Sequence, residues 1–76
     1  MAILVKMEKV SDDGRSATYR FGTSDGPHRT LVFDRTDERI WPEDGARDAV
    51  FRAAAGKLSK VWTERGEAPD SIAYQA

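Results

Sequence analysis

Hydrophobic and polar residues alternate along the first half of the chain, which is typical of half-buried β-strands. At the start, Ile3, Val5 and Met7 fall on one side of an extended chain, and Lys6 falls on the other. Because side chains alternate across a strand with a period of two, this spacing predicts a first strand over Ala2–Val10 with one apolar face.

Turn signals divide the rest of this half into three more short strands. The segment 11–15 contains Asp13 and Gly14, a pair that tolerates the positive φ of a tight hairpin turn. Pro27 and Pro42 interrupt regular pairing, because proline has no backbone donor. The predicted strands are SATYRFG over 16–22, His28–Asp34 and Arg39–Trp41, with polar turns at 23–27 and 35–38.

In the second half, apolar residues recur every three to four positions. This period predicts an amphipathic helix over about Ala46 to Arg65. Asp44 is suited to its N-cap, and Gly66 to the position just after its last turn. The apolar stripe consists of Val50, Phe51, Ala54, Ala55, Leu58, Val61 and Trp62.

The last residues leave two arrangements open. Since Ile72 and Tyr74 are two positions apart, the segment Asp70–Ala76 either returns as a fifth edge strand or lies as a tail over the helix end. Four consecutive strands with short connections favour an antiparallel meander. The predicted fold class is therefore α+β, a four-stranded antiparallel β-meander with one long C-terminal helix packed on one face and a short C-terminal tail or edge strand.

The alternation also predicts which sheet face the helix covers. Burial of apolar surface is the main driving force of folding, so the face with the larger apolar side chains should lie under the helix. Those side chains are Ile3, Val5, Met7, Tyr19, Phe21, Leu31, Phe33 and Ile40.

Length and charge narrow the class of protein. The 76 residues fit one small domain, 1–76, without linker or repeat. The formal net charge is -1, with both signs mixed along the chain, so there is no electrostatic footprint for nucleic acid or an anionic membrane. The apolar stretch at 2–5 is too short for a signal peptide, and no segment is long enough to span a membrane. We expect a cytoplasmic protein.

Residues that could carry catalysis are few. Cysteine is absent, which removes thiolate nucleophiles, disulfides and Cys-based zinc sites. The single histidine, His28, has no nearby partners for a catalytic triad, and we interpret it as an exposed loop side chain. The acidic clusters fall at turns without calcium-loop spacing, and the glycines match no phosphate-binding motif. We expect neither enzymatic activity nor a cofactor nor a bound metal.

Two surfaces are candidates for contact with a partner. The first is the sheet face turned away from the helix, where alternation places Leu4, Val32 and Trp41 together with Arg20. Tryptophan and arginine are enriched at binding hot spots, so Trp41 is a candidate anchor. The alternative is that Trp41, next to Pro42, folds over the edge of the core as a lid.

The second surface is one flank of the helix. Ala49, Ala53 and Gly56 are small residues on this flank, and they would let another backbone approach closely. In the alternative interpretation, alanine simply propagates the helix and Gly56 is tolerated at a cost of up to about 1 kcal/mol.

Several segments together resemble one group of proteins. They are ILVKMEKV at 3–10, YRFG at 19–22 and LVFD at 31–34, with an Asp-Asp turn at 12–13 and a late helix before Pro69. This layout is similar to that of a group of small actinobacterial proteins with no assigned function. The resemblance implies a bacterial protein of the same strand and helix layout, and it transfers no activity.

The bare sheet face is the main physical reason to expect a binding role, because a large exposed apolar patch usually marks an interaction site. The function expected from the sequence is a non-catalytic protein-interaction module, with a homodimer as one form and the partner protein unidentified. The alternative is a small accessory or ligand-binding protein that acts on a larger enzyme. An independent enzyme and a nucleic-acid binder are less favoured.

Overall fold

Five strands and one helix make up the fold. A computed structural model describes residues 4–23, 26 and 28–75, so the predicted inward position of Ile3 and part of the predicted turn at 23–27 lie outside the described residues. The elements are β1 (Leu4–Asp12), β2 (Ser16–Thr23), β3 (Arg29–Asp34), β4 (Arg39–Pro42), α1 (Ala49–Arg65) and β5 (Ser71–Gln75).

The strands form one sheet in the order β4-β3-β2-β1-β5, and every neighbouring pair is antiparallel. Direction therefore reverses at each step, and the two edge strands, β4 and β5, run the same way at opposite edges. The helix α1 carries the chain across one face of the sheet from the β4 edge to the β5 edge. That face is called the inner face below, and the opposite one the outer face.

The prediction of an antiparallel sheet with one helix is confirmed, and two finer points are wrong. The sheet has five strands rather than four, because residues 71–75 pair with β1 in a register from Leu4↔Gln75 to Glu8↔Ser71. The helix lies in the middle of the chain rather than at its C-terminal end, since β5 follows it. Of the two arrangements left open for the last residues, the edge strand is the one that forms.

The helix also begins later than predicted, at Ala49. Its N-cap is Asp48 and not Asp44, because the Asp48 carboxylate accepts a hydrogen bond from the Phe51 backbone N–H at 3.0 Å. Asp44 is held in the preceding loop by Arg29. The predicted end of the helix is confirmed: the residue after it, Gly66, has a left-handed backbone with φ of 70°.

The core lies between α1 and the inner face of the sheet. The strand aromatics Tyr19, Phe21 and Phe33 are fully buried there, as the alternation predicts. Helix aromatics meet two of these rings edge to face, Phe51 against Phe21 with centroids 6.0 Å apart and Trp62 against Phe33 at 5.1 Å. The other buried apolar residues are Val5, Met7, Ala17, Leu31, Ala54, Leu58, Val61 and Ala68.

Arg29 fixes the loop that leads from β4 into the helix. Its guanidinium donates to the carboxylates of Asp44 at 2.6 Å and Asp48 at 2.9 Å, and its central carbon lies 4.9 Å from the centroid of the Phe21 ring. These bonds hold the pKa of the Asp44 carboxyl at about 2, well below its usual range. The pKa of Asp48 is also lowered, first by the Phe51 backbone N–H and then by Arg29.

A second arginine joins the two turns at the other end of the sheet. The guanidinium of Arg35 donates to both carboxylate oxygens of Asp12, at 2.8 and 2.6 Å, and Lys9 donates to the same carboxylate at 3.0 Å. With the Gly14 backbone N–H as a further donor, these bonds strongly lower the pKa of Asp12. The strand β1 thus continues to Asp12, past its predicted end at Val10.

Candidate interaction surface

The outer face carries the side chains that alternate with the core residues. The register aligns Thr18 with Val32 and Val32 with Trp41, so these three residues form one row that ends at the β4 edge. Ile40 and Pro42, on either side of Trp41 in the chain, pair with Phe33 and Leu31 of the core face. Trp41 therefore points away from the core, onto the outer face.

Trp41 is 37% exposed, and Val32 beside it is half-buried. Indole of this exposure, next to an aliphatic neighbour, presents both apolar area and a hydrogen-bond donor to solvent. Such a side chain suits contact with another molecule. Leu4, the third apolar residue predicted on this face, is half-buried at the start of β1.

Charged side chains surround the row. Arg20 lies on the same face and pairs with Glu8 of β1 at 3.8 Å, with both side chains at least half exposed. Exposed pairs of this kind contribute little to stability. Arg39, two residues before Trp41 on β4, is exposed and makes no ion pair among the described residues. A cation is thus available next to the tryptophan.

A depression of about 540 Å³ lies on the outer side of β1 and β5. Lys6, Glu8 and Arg20 contribute to its lining, and Ser71 and Ala73 of β5 contribute small side chains. His28 also lines it, although no sequence motif assigns that residue to a site. The position of His28 in the sequence could have indicated this location, because an alternating strand that starts at His28 places that side chain on the outer face.

The second predicted surface lies on the opposite side of the molecule. Ala49 and Gly56 are exposed on the solvent side of α1, Ala53 is half-buried, and nothing lies within 4 Å of a methyl group built at Gly56. A shallow cavity of about 270 Å³ at this place is lined by Ala53, Gly56 and three cationic side chains, Arg52, Lys57 and Lys60. The structure thus unites Leu4, Arg20, Val32 and Trp41 on one face, and separates them from Ala49, Ala53 and Gly56.

The open space at Gly56 leads to a test of the helix flank. Replacing Gly56 by alanine is expected to raise the free energy of unfolding by up to about 1 kcal/mol, since the new methyl group meets nothing and glycine weakens a helix interior. Urea unfolding followed by helical circular dichroism measures the change. Ser59→Ala, also at an exposed helical position, is the control and should give a smaller gain. A loss of stability in Gly56→Ala would show that this flank is occupied in solution.

Three further observations concern metal binding, membrane-spanning helices and the acidic side chains at the turns. Within residues 4–23, 26 and 28–75, no three His, Cys, Asp or Glu side chains come together in a way that could hold a metal ion. In the same part of the chain, no helix has the length and apolar character needed to cross a bilayer. The acidic residues Asp12, Asp13 and Asp34 bond the backbone of their own turns, as their sequence context predicts.

Comparison of the chain with known protein families, with curated proteins and with solved structures finds no match. One face of the sheet lies under α1, and the other face, which bears Trp41, lies outside the core.

Proposed function

We propose that this protein is a non-catalytic interaction module that binds another protein through the outer face of its sheet around Trp41. The observation that carries the proposal is the exposure of Trp41 on a face that α1 does not cover. A single helix can cover only one face of a sheet, so the apolar residues opposite it gain burial only by contact with something else.

Trp41 would serve as the anchor of this contact. Tryptophan buries a large area at a small cost in side-chain entropy, and hot spots are often single aromatic residues surrounded by weaker contacts. Val32 lies beside it in the register and extends the apolar area, and Thr18 continues the row. Arg20 and Leu4 lie at the far side of the same face, where they would contribute to the rim.

The chemistry of this surface indicates what the partner presents. An aliphatic or aromatic side chain would pack on Trp41 and Val32, and a carboxylate would pair with Arg39. The carboxylate is favoured because Arg39 lies two residues before Trp41 within β4, so the two side chains share the outer face. The partner is therefore expected to carry an apolar side chain next to an acidic one.

Photo-crosslinking tests the proposal. A benzophenone amino acid in place of Glu43, which is exposed two residues after Trp41, is expected to capture one protein in a lysate of the source organism. Trp41→Ala in the same chain should lower the yield at least tenfold, because loss of an anchor typically costs more than about 2 kcal/mol of binding free energy. The melting temperature should change little, since Trp41 lies outside the core.

A matched control separates the anchor from general surface hydrophobicity. Val10 is 47% exposed on β1, three strands away from β4, and Val10→Ala should leave the captured product unchanged. If Trp41→Ala keeps the crosslink but lowers the melting temperature by several degrees, Trp41 is a structural lid and the proposal is wrong.

One observation favours a second function, that of a small accessory or ligand-binding protein. The depression on the outer side of β1 and β5 presents the cationic side chains of Lys6 and Arg20 with the imidazole of His28. These three side chains suit a small ligand with an anionic group, although Arg20 would have to leave its ion pair with Glu8 to bind it. Failure to capture a protein near Trp41 would make this the preferred function.

A further inference from the structure

The two edges of the sheet differ in how they are protected against pairing. Natural proteins protect edge strands with charged residues, proline, bulges or short length, because an open edge presents unpaired N–H and C=O groups. The edge strand β4 has only four residues and contains Arg39 and Pro42. The other edge strand, β5, has the sequence SIAYQ, with no charge and no proline. Among the described residues, no strand lies beyond it.

The pairing of β5 with β1 defines which of its backbone groups face outward. The Lys9 backbone N–H donates to the Asp70 carbonyl oxygen at 2.8 Å. In an antiparallel ladder, bonding residues alternate, so the N–H and C=O of Ile72 also point towards β1. The backbone groups of Ser71, Ala73 and Gln75 therefore point away from the sheet.

We propose that β5 pairs antiparallel with β5 of a second copy of this chain, which joins two sheets into one of ten strands. A second copy is the occupant that fits best, since an antiparallel pair of identical strands is related by a two-fold axis and matches itself. An uncharged strand meets no like charge in that arrangement. The inference goes beyond the proposed function, because it uses a different surface from the one around Trp41.

The outward groups also define the register of the pair. An axis at Ala73 aligns Ala73 with its own copy, and Ser71 with Gln75 of the second copy. All five residues of β5 then have a partner, and the residues that bond are the three whose groups point outward. The new strand pair continues both faces of the sheet, so the apolar layer of each copy is extended at the position of Ile72, which is half-buried in the single chain.

Sedimentation equilibrium of the full chain is the first test. The protein is expected to dimerise reversibly, and Ala73→Pro should reduce the association to an undetectable level, because it removes an outward donor and places a ring at the axis. The bond from Ile72 to β1 remains in this variant, and helical circular dichroism verifies its fold. A wild-type protein that stays monomeric up to submillimolar concentration would overturn the inference.

Charge substitutions test the register without proline. Ala73→Lys should raise the dissociation constant about fivefold, because the two-fold axis places like charges opposite each other, and Ala73→Glu should do the same. A mixture of the two variants should associate more tightly than either alone. The control is Thr63→Lys on the exposed side of α1, which should behave like wild type. Equal association of all these variants would contradict pairing at Ala73.

Amide hydrogen exchange distinguishes this interface from any other. The Ile72 amide should be protected at all concentrations, whereas the Ser71 and Ala73 amides should become protected only as the dimer forms. If a dimer forms but these two amides stay unprotected, the inference is wrong. If Trp41→Ala then abolishes that dimer, the outer face is the contact, and the proposed function stands without the β5 pair.

Discussion

Replacing Tyr19 by alanine is expected to leave most of the protein unfolded at room temperature. Tyr19 is fully buried in the middle strand of the sheet, and its hydroxyl donates to the Pro69 carbonyl oxygen at 2.6 Å. Truncation of a buried aromatic side chain costs about 3–5 kcal/mol. A domain of this length has about 3–5 kcal/mol of stability from a single core, so the loss is comparable to the whole. Urea unfolding followed by circular dichroism measures it.

Tyr19→Phe separates the hydroxyl from the ring. This variant keeps the packing but leaves the Pro69 carbonyl oxygen without its donor, and we expect a loss of about 1–2 kcal/mol. Burial raises the pKa of the Tyr19 phenol to about 12. The folded state therefore holds this proton more tightly than the unfolded state, so stability falls as pH rises above 10 in wild type. The decline in stability above pH 10 should be weaker in Tyr19→Phe. If both proteins lose stability equally at alkaline pH, the Tyr19 phenol is not the group responsible.

Acid is expected to destabilise the protein progressively below pH 3.8, the ordinary pKa of an aspartate. Asp12 and Asp13 at one end of the sheet and Asp44 and Asp48 at the other all have lowered pKa values in the folded state. A group of this kind stabilises the fold at pH values above its unfolded pKa, and that stability is lost as pH falls through the folded value. The melting temperature should therefore drop steadily as pH falls from 3.8 towards the pKa of Asp44, about 2.

The two arginines allow the acid effect to be assigned. Arg29→Met removes the cation from Asp44 and Asp48, and Arg35→Met removes it from Asp12. Each variant should be less stable at neutral pH, and each should lose less stability than wild type between neutral pH and acid. Arg52→Met on the exposed side of α1 is the control for loss of one positive charge. If all three variants lose stability with falling pH as steeply as wild type, the paired carboxylates contribute little to the acid sensitivity of the fold.

Much of the fold follows from local pattern. Alternation alone places Tyr19, Phe21 and Phe33 on the inner face, since one side of each strand is far more apolar than the other. The fifth strand was only one of two alternatives, because SIAYQ is short and its pairing with β1 joins segments more than sixty residues apart. Nothing local distinguishes an edge strand from a tail when the partner is that distant.

The helix start shows a different limit. Both Asp44 and Asp48 are residue types that cap helices, and the sequence favours Asp44 because the acidic pair at 43–44 before Gly45 suits the positive end of a helix dipole. Arg29 determines which of the two caps the helix. It lies on the inner side of β3 and donates to both carboxylates, which keeps the segment between them out of the helix. Alternation with Leu31 and Phe33 could have placed Arg29 on that side, but not its partners.

The candidate surface was predictable in part. The outward positions of Leu4, Val32 and Trp41 follow from the strand period, and the register then places Val32 beside Trp41. The separation of this face from Ala49, Ala53 and Gly56 also follows from the sequence, because the helix is expected to cover the inner face. The open space beside Gly56 could be seen only from the packing of α1 on the sheet.

The unequal edges of the sheet set a limit on assembly. When β5 pairs with its own copy, the two strands left at the ends of the joined sheet are both β4, each short and each carrying a proline. Neither end presents an open edge strand without charge or proline, as β5 does. Growth therefore stops at two chains instead of continuing into a fibre. In the proposed dimer, the same strand that presents Trp41 to solvent would thus prevent further growth of the sheet.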